Sequence, residues 1–171
     1  RRVLFRSELD NQNALEIYKK YLGDRASELP GSALLFPLCL LDDAGKAQLV
    51  RTILSIDEEA GAMRFAGNVP EGATVQFMMA NFDRVVDGAM LAAEQAELDR
   101  HPELVIMISC VGRKTILGPR VEEEVEAVCD LFGKSPAYHG FYSNGEIAPA
   151  PFKVGCSLHN QTMTITTYRE S

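Results

Sequence analysis

Three short polar stretches carry the residue types from which a ligand site could be built. They are Cys110 and Arg113 in Cys110-Val111-Gly112-Arg113, Asn144 and Glu146 just after the aromatic run Tyr138-His139-Gly140-Phe141-Tyr142, and the pair His159-Asn160. A guanidinium holds a carboxylate in two-point geometry, a glutamate accepts from an ammonium group, and imidazole and amide side chains add further hydrogen bonds. Brought together, Arg113, Glu146, His159 and Asn160 would recognise an amino-acid-like zwitterion, with Phe141 or Tyr142 as an apolar wall. Each residue also has a plainer reading. Cys110 is a small buried apolar residue unless a base activates it, and Arg113 is a surface or capping cation. Glu146 is solvated unless Arg113 or His159 pairs with it, and Asn144-Gly145 is a hairpin turn. His139 alternates along a strand as a structural histidine, and His159 satisfies backbone groups where the last strand begins.

Two other chemistries draw on the same residues. Cys110 with His139 or His159 would form a thiol-imidazole pair, the core of a cysteine-dependent enzyme. His139 or His159 could instead serve as the axial ligand of a haem, which needs no local motif. Familiar enzyme signatures are missing from the sequence: there is no glycine-lysine phosphate loop, no His-Glu-x-x-His, no dinucleotide glycine pattern and no Gly-x-Ser-x-Gly elbow. Cys39, Cys110, Cys129 and Cys156 lie far apart without paired zinc-ligand spacing, so free thiols and no metal are expected.

The elements that must position these groups follow from the hydrophobic pattern. From Asn13, the residues Ala14, Leu15, Ile17, Tyr18, Tyr21 and Leu22 recur at helical spacing until Gly23. The run Ala33 to Leu41, interrupted by Pro37, predicts an edge strand or a bulge. Val50 to Ile56, Met63 to Phe65 and Thr74 to Met79 then complete an antiparallel meander. A long helix follows over 81–98, with Asn81 or Asp83 as its cap. Leu104 to Ser109, apolar on both faces, predicts a central strand, and Val121, Val125, Val128 and Phe132 form the stripe of a helix over 119–132. With the strand 137–143 this makes a right-handed β-α-β unit, closed by a last half-buried strand over 162–168. The expected fold class is α/β (α+β): an antiparallel meander continued into a mixed sheet, with helices packed on it. Parallel strands at 104–109 and 137–143 would bring all three polar clusters to one sheet edge, where open α/β sheets bind ligands.

With 171 residues and 46% apolar composition, one domain with a substantial core is expected. Net charge is −7 with scattered cations, which argues against nucleic acid and anionic membranes as partners. The absence of a long apolar run or a basic-then-apolar leader reads as cytoplasmic. Arg1 to Ser7 joins no periodic pattern; residues 1–12 are taken as a remnant or linker, residues 13–171 as the domain, and the whole as a piece of a longer protein.

Beyond the residues themselves, the chain resembles the C-terminal part of the FIST domain family of bacterial signalling proteins. The resemblance rests on Ser109-Cys110-Val111-Gly112-Arg113, on Gly140-Phe141-Tyr142-Ser143-Asn144-Gly145-Glu146-Ile147 and on Leu158-His159-Asn160-Gln161-Thr162, in that order. Ala14-Leu15-Glu16-Ile17-Tyr18 and Val69-Pro70-Glu71-Gly72 are similar to the family's counterparts as well. The resemblance implies a non-catalytic intracellular sensory domain that binds a small ligand such as an amino acid and needs no cofactor. It also implies an N-terminal FIST half as partner and an output module such as a histidine kinase, a cyclase or a chemotaxis receptor. Some members resemble haem-binding nitric-oxide sensors. Asn144 stands where an aromatic is common in the family, and the N-terminal half is absent here.

Overall fold

The computed structural model describes residues 5–96, 102–149 and 155–170. Helices and several small sheets make it a mixed α+β fold. The chain falls into two compact units, residues 1–79 with 149–160 and residues 80–148 with 161–171.

The first unit opens with short strands β1 (Phe5–Arg6), β2 (Glu8–Leu9) and β3 (Gln12–Asn13), followed by helix α1 (Ala14–Leu22). The helix boundaries are set by its caps: Asn13 Oδ1 accepts from the Glu16 amide at 2.9 Å, and Gly23, at φ 57°, sends its N–H back to Lys19. Strands β4 (Leu38–Leu41), β5 (Ala47–Arg51), β6 (Ile53–Asp57), β7 (Ala62–Phe65) and β8 (Val75–Phe77) complete two antiparallel sheets, ordered β1-β7-β6 and β5-β4-β8. Ala14, Leu15 and Tyr18 pack on Leu38, Ile53, Met63 and Phe65 to form this unit's core.

Three expectations are corrected here. The run 33–41 is no edge strand: Gly31–Leu35 is a 3-10 turn, and β4 is the central strand of its sheet, with a register shift at Leu40/Leu41. Pro37, which has no N–H for the ladder, stands just ahead of the paired residues and gives its carbonyl to Met78. The strand foreseen over 50–56 is split between the two sheets at Arg51-Thr52. Both residues are buried and polar, and Arg51 spends its guanidinium on the carbonyls of Val50, Asn68 and Leu158. Thirdly, Phe5 and Arg6, set aside as outside the fold, pair with Arg64 and Met63.

The second unit contains α2 (Phe82–Ala96), β9 (Leu104–Cys110), α3 (Val111–Leu117), α4 (Glu122–Phe132), β10 (Ala137–Ser143), all but the last residue of β11 (Glu146–Pro149), and β13 (Met163–Tyr168); β12 (Cys156–His159) belongs to the first unit. As expected, β10 runs parallel to β9, with Ala137 opposite Leu104 and Ser143 opposite Cys110, and β13 returns antiparallel on the other side of β9. This sheet is mixed, but it is separate from the meander sheets and not continuous with them. Its core joins Ala89 and Ala93 of α2 and Val128 and Phe132 of α4 to Val105, Met107 and Met163. The second helix is capped by Asn81, whose side chain accepts from the Arg84 amide, and residues 97–98 lie outside the described residues.

The helix foreseen over 119–132 proves to be a 3-10 turn and a shorter helix, with another helix ahead of them. An unforeseen helix, α3, starts directly at the end of β9; Gly118–Arg120 is a 3-10 turn with Pro119 near its start; and α4 begins at Glu122. Gly112, a poor helix former, hides α3 from a propensity reading. The buried stripe of α4 is also rotated from the expected one. It runs Glu124, Val128, Phe132, while Val125 is exposed.

Candidate functional site

The second unit holds a cavity of about 320 Å³ beside β10 and α4. Apolar and aromatic groups dominate its lining: Met107, Met163, Val125, Tyr138, Phe141 and Tyr142, with Gly140 presenting bare backbone. Ser109, Glu124 and His139 complete it. Its lining residues range from Phe141, 61% exposed, to Glu124, which is fully buried.

That carboxylate is the centre of a polar network. Glu124 Oε2 accepts from Arg113 Nε at 2.9 Å, and Glu124 Oε1 accepts from the Tyr142 hydroxyl at 3.0 Å and from Ser109 Oγ at 3.1 Å. Strand register explains the meeting. Ser109 lies opposite Tyr142 on neighbouring parallel strands, so both side chains point to the face on which α4 packs. Arg113 is 4% exposed and reaches past Glu124 to the Val85 carbonyl of α2 at 2.6 Å, next to Gly88. A buried charge is tolerated only when paired and hydrogen-bonded, and here both members meet that condition.

The sequence-predicted residues are distributed as follows. Phe141 and Tyr142 line the cavity, as does His139. Arg113 is no surface clamp, since it is committed to Glu124 and Val85. Glu146 is not solvated: it is buried and accepts from Ser143 Oγ at 2.5 Å and Thr162 Oγ1 at 2.6 Å. Because Ser143 and Tyr142 are consecutive along β10, they point to opposite faces, and Arg113 and Glu146 therefore serve opposite faces of the sheet. The expected Arg113-Glu146 clamp is not formed. Asn144 is exposed beside Gly145, whose φ of 153° does not make the expected hairpin turn. Cys110 is buried at the start of α3, with its amide bonded to the Thr162 carbonyl. His139 is paired with Ile106, four residues from the Cys110 position, or about 13 Å along the strand, so Cys110 and His139 are not a catalytic couple.

His159 and Asn160 are buried in the first unit. Asn160 Oδ1 accepts from the Thr52 amide at 3.4 Å and its Nδ2 donates to the His159 carbonyl, which makes it a backbone tie. Of the two histidines named for haem, His139 is exposed and lines the cavity, and His159 is buried. All four cysteines are free thiols, and the described residues contain no group of three or more metal-ligating side chains. None of the described helices is long and apolar enough to cross a membrane.

Glu124 escapes the sequence reading because Val121 and Val125 take the places of the stripe on either side of it. The signal was present in the spacing, since Glu124 falls four and eight residues before Val128 and Phe132, on the apolar stripe itself.

Burial, and then the bond to Glu124, push the Tyr142 hydroxyl from its ordinary value of 10.0 up to about 12. The folded chain therefore keeps a proton that the unfolded chain loses first. The resulting stability is fully present below about pH 10 and is lost as pH rises toward 12. In urea melts across that range, Tyr142→Phe is expected to flatten part of the alkaline decline, and an unchanged slope would remove Tyr142 as its source.

A mixed three-stranded sheet carrying helices, with a cavity lined in part by a tied carboxylate, defines an α+β module. The chain belongs to the FIST C domain family, which it matches over residues 14–149; this is a family of sensory domains associated with signalling proteins. Two Mycobacterium tuberculosis proteins are similar to it: uncharacterized protein MT0656 of strain CDC 1551 / Oshkosh and uncharacterized protein Rv0628c of strain ATCC 25618 / H37Rv. Each is 32% identical over 103 residues, which is 59% of this chain and 27% of the relative, so the match occupies about a quarter of each relative's length. No solved structure matches the chain.

Proposed function

We propose that this chain is the ligand-sensing part of a larger intracellular signalling protein, with the cavity beside β10 and α4 as its ligand site. The observation that carries the reading is Glu124, a fully buried carboxylate in the lining of a mostly apolar and aromatic cavity, whose partners reach other elements. A ligand that displaces or tightens the Tyr142-Glu124 bond changes the charge balance around Arg113, and Arg113 is bonded to the backbone of α2. That is a physical link between occupancy and a helix position, as a sensor requires. An N-terminal half and an output module such as a kinase, a cyclase or a chemotaxis receptor would be the partners that read the helix.

Amino acids remain the ligand class suggested by family resemblance, but Arg113 is not free to hold their carboxylate. The test is a thermal-shift screen of the amino acids and of neutral aromatic compounds, run on the wild-type chain and on Val125→Trp, whose bulk fills the mouth of the cavity. Ligand-induced shifts lost in Val125→Trp are the expected result. Shifts of unchanged size in that variant would place the site elsewhere.

A further inference from the structure

We infer that the cavity selects a neutral, planar, largely apolar molecule carrying one hydrogen-bond donor, such as a heteroaromatic N–H. The inference rests on the reading of this cavity as the ligand site and names the class of ligand it takes.

Charge is decided first. Glu124 is matched by Arg113 at 2.9 Å, and Arg113 is turned toward α2 and is not among the lining residues. The carboxylate of a zwitterion would therefore find no guanidinium or ammonium among the lining residues, of which His139 is the one basic group, and the fixed carboxylate of Glu124 would oppose it. Lys114 sits 5.0 Å from the Tyr142 ring centroid, but it is solvent-exposed and outside the lining.

Hydrogen-bond arithmetic then fixes polarity. A hydroxyl has one proton, and Tyr142 and Ser109 both direct theirs at Glu124. What these two oxygens have left are lone pairs. A ligand group that meets them must donate, and one that can only accept would leave them unpaired.

Shape comes from the remaining wall. Tyr138 and Tyr142, which alternate with Gly140 onto the Met107 and Ser109 face of the sheet, supply ring surfaces, Met107 and Met163 supply polarisable sulfur that packs well on aromatic rings, and Gly140 contributes a wall without a side chain. A cavity of about 320 Å³ suits a bicyclic molecule better than a larger one.

Indole is a suitable probe because the chain contains no tryptophan, so fluorescence excited above the tyrosine band reports only the added molecule. Binding to the intact chain is to be compared for indole, 1-methylindole, which lacks the donor, and L-tryptophan, which adds the zwitterion. The expectation is that indole binds at least about tenfold more tightly than either, and that Tyr142→Phe brings indole and 1-methylindole closer to parity. Equal binding of indole and 1-methylindole by the wild-type chain would overturn the donor requirement. Tighter binding of L-tryptophan, blocked by Val125→Phe, which keeps the chain free of tryptophan, would overturn the neutral class while leaving the cavity as the ligand site. If none of the three binds, the ligand class is wrong; if the amino-acid screen is silent as well, the sensing role of the cavity falls with it.

Discussion

Glu124→Ala is expected to destabilise the protein by about 3–5 kcal/mol, the cost of leaving a buried charge without its partner. Arg113 is 4% exposed, its Nε points at Glu124 Oε2, and its remaining described bond is to a single backbone carbonyl. The substitution also strips the Tyr142 and Ser109 hydroxyls of their common acceptor, with a further cost of about 1 kcal/mol for each one left unpaired. In the double variant Arg113→Met/Glu124→Leu, both charges give way to apolar groups of similar volume. Its stability should return to within about 2 kcal/mol of wild type, because the penalty of the single change is mostly the orphaned guanidinium. Urea denaturation of the three proteins checks this. A single variant as stable as wild type, or a double variant less stable than the single, would contradict the role given to the pair.

Gly140→Ala should cost about 3 kcal/mol, at the upper end for overpacking by a single methyl group. A β-carbon at residue 140 would lie 2.4 Å from the Met107 carbonyl oxygen, in the register where β9 and β10 pair, and backbone cannot swing aside as a side chain would. The two strands must separate locally, at the residue that also forms the bare wall of the cavity. Gly133→Ala is the useful control: its φ of 76° is unfavourable for alanine, but nothing lies within 4 Å, so about 1 kcal/mol is expected. Equal losses for the two variants would mean that strain and not crowding governs residue 140.

Much of the second unit was legible because its information is local. The apolar run 104–109, the helix after it and the aromatic run 137–143 dictate a parallel pair with a crossover, and Thr alternating with Met163 and Ile165 dictates the strand beside it. Caps were legible for the same reason, with Asn13, Gly23 and Asn81 each acting within a few residues of their own position. The split at Arg51-Thr52 was not legible. Its cause is a set of carbonyls at 68 and 158, brought together only by folding. The same holds for the site. Phe141 and Tyr142 could be named from their position at a strand end, whereas the partner of Arg113 could not, because charge type alone does not say which of 24 acidic residues a guanidinium will meet. Glu146 looked free for the complementary reason, since the hydroxyls that satisfy it are on Ser143 and Thr162, residues read only as strand formers.

Methionine methyl resonances give the most direct test of the cavity as the ligand site. Of the six methionines, Met107 and Met163 line it, Met63 is buried in the core of the first unit, and Met78, Met79 and Met90 are exposed. When indole is titrated into 13C-methyl-methionine protein, the Met107 and Met163 methyls should move through the ring current of the bound molecule while the other four stay in place. Movement of Met63, Met78, Met79 or Met90 with Met107 and Met163 unchanged would contradict the account.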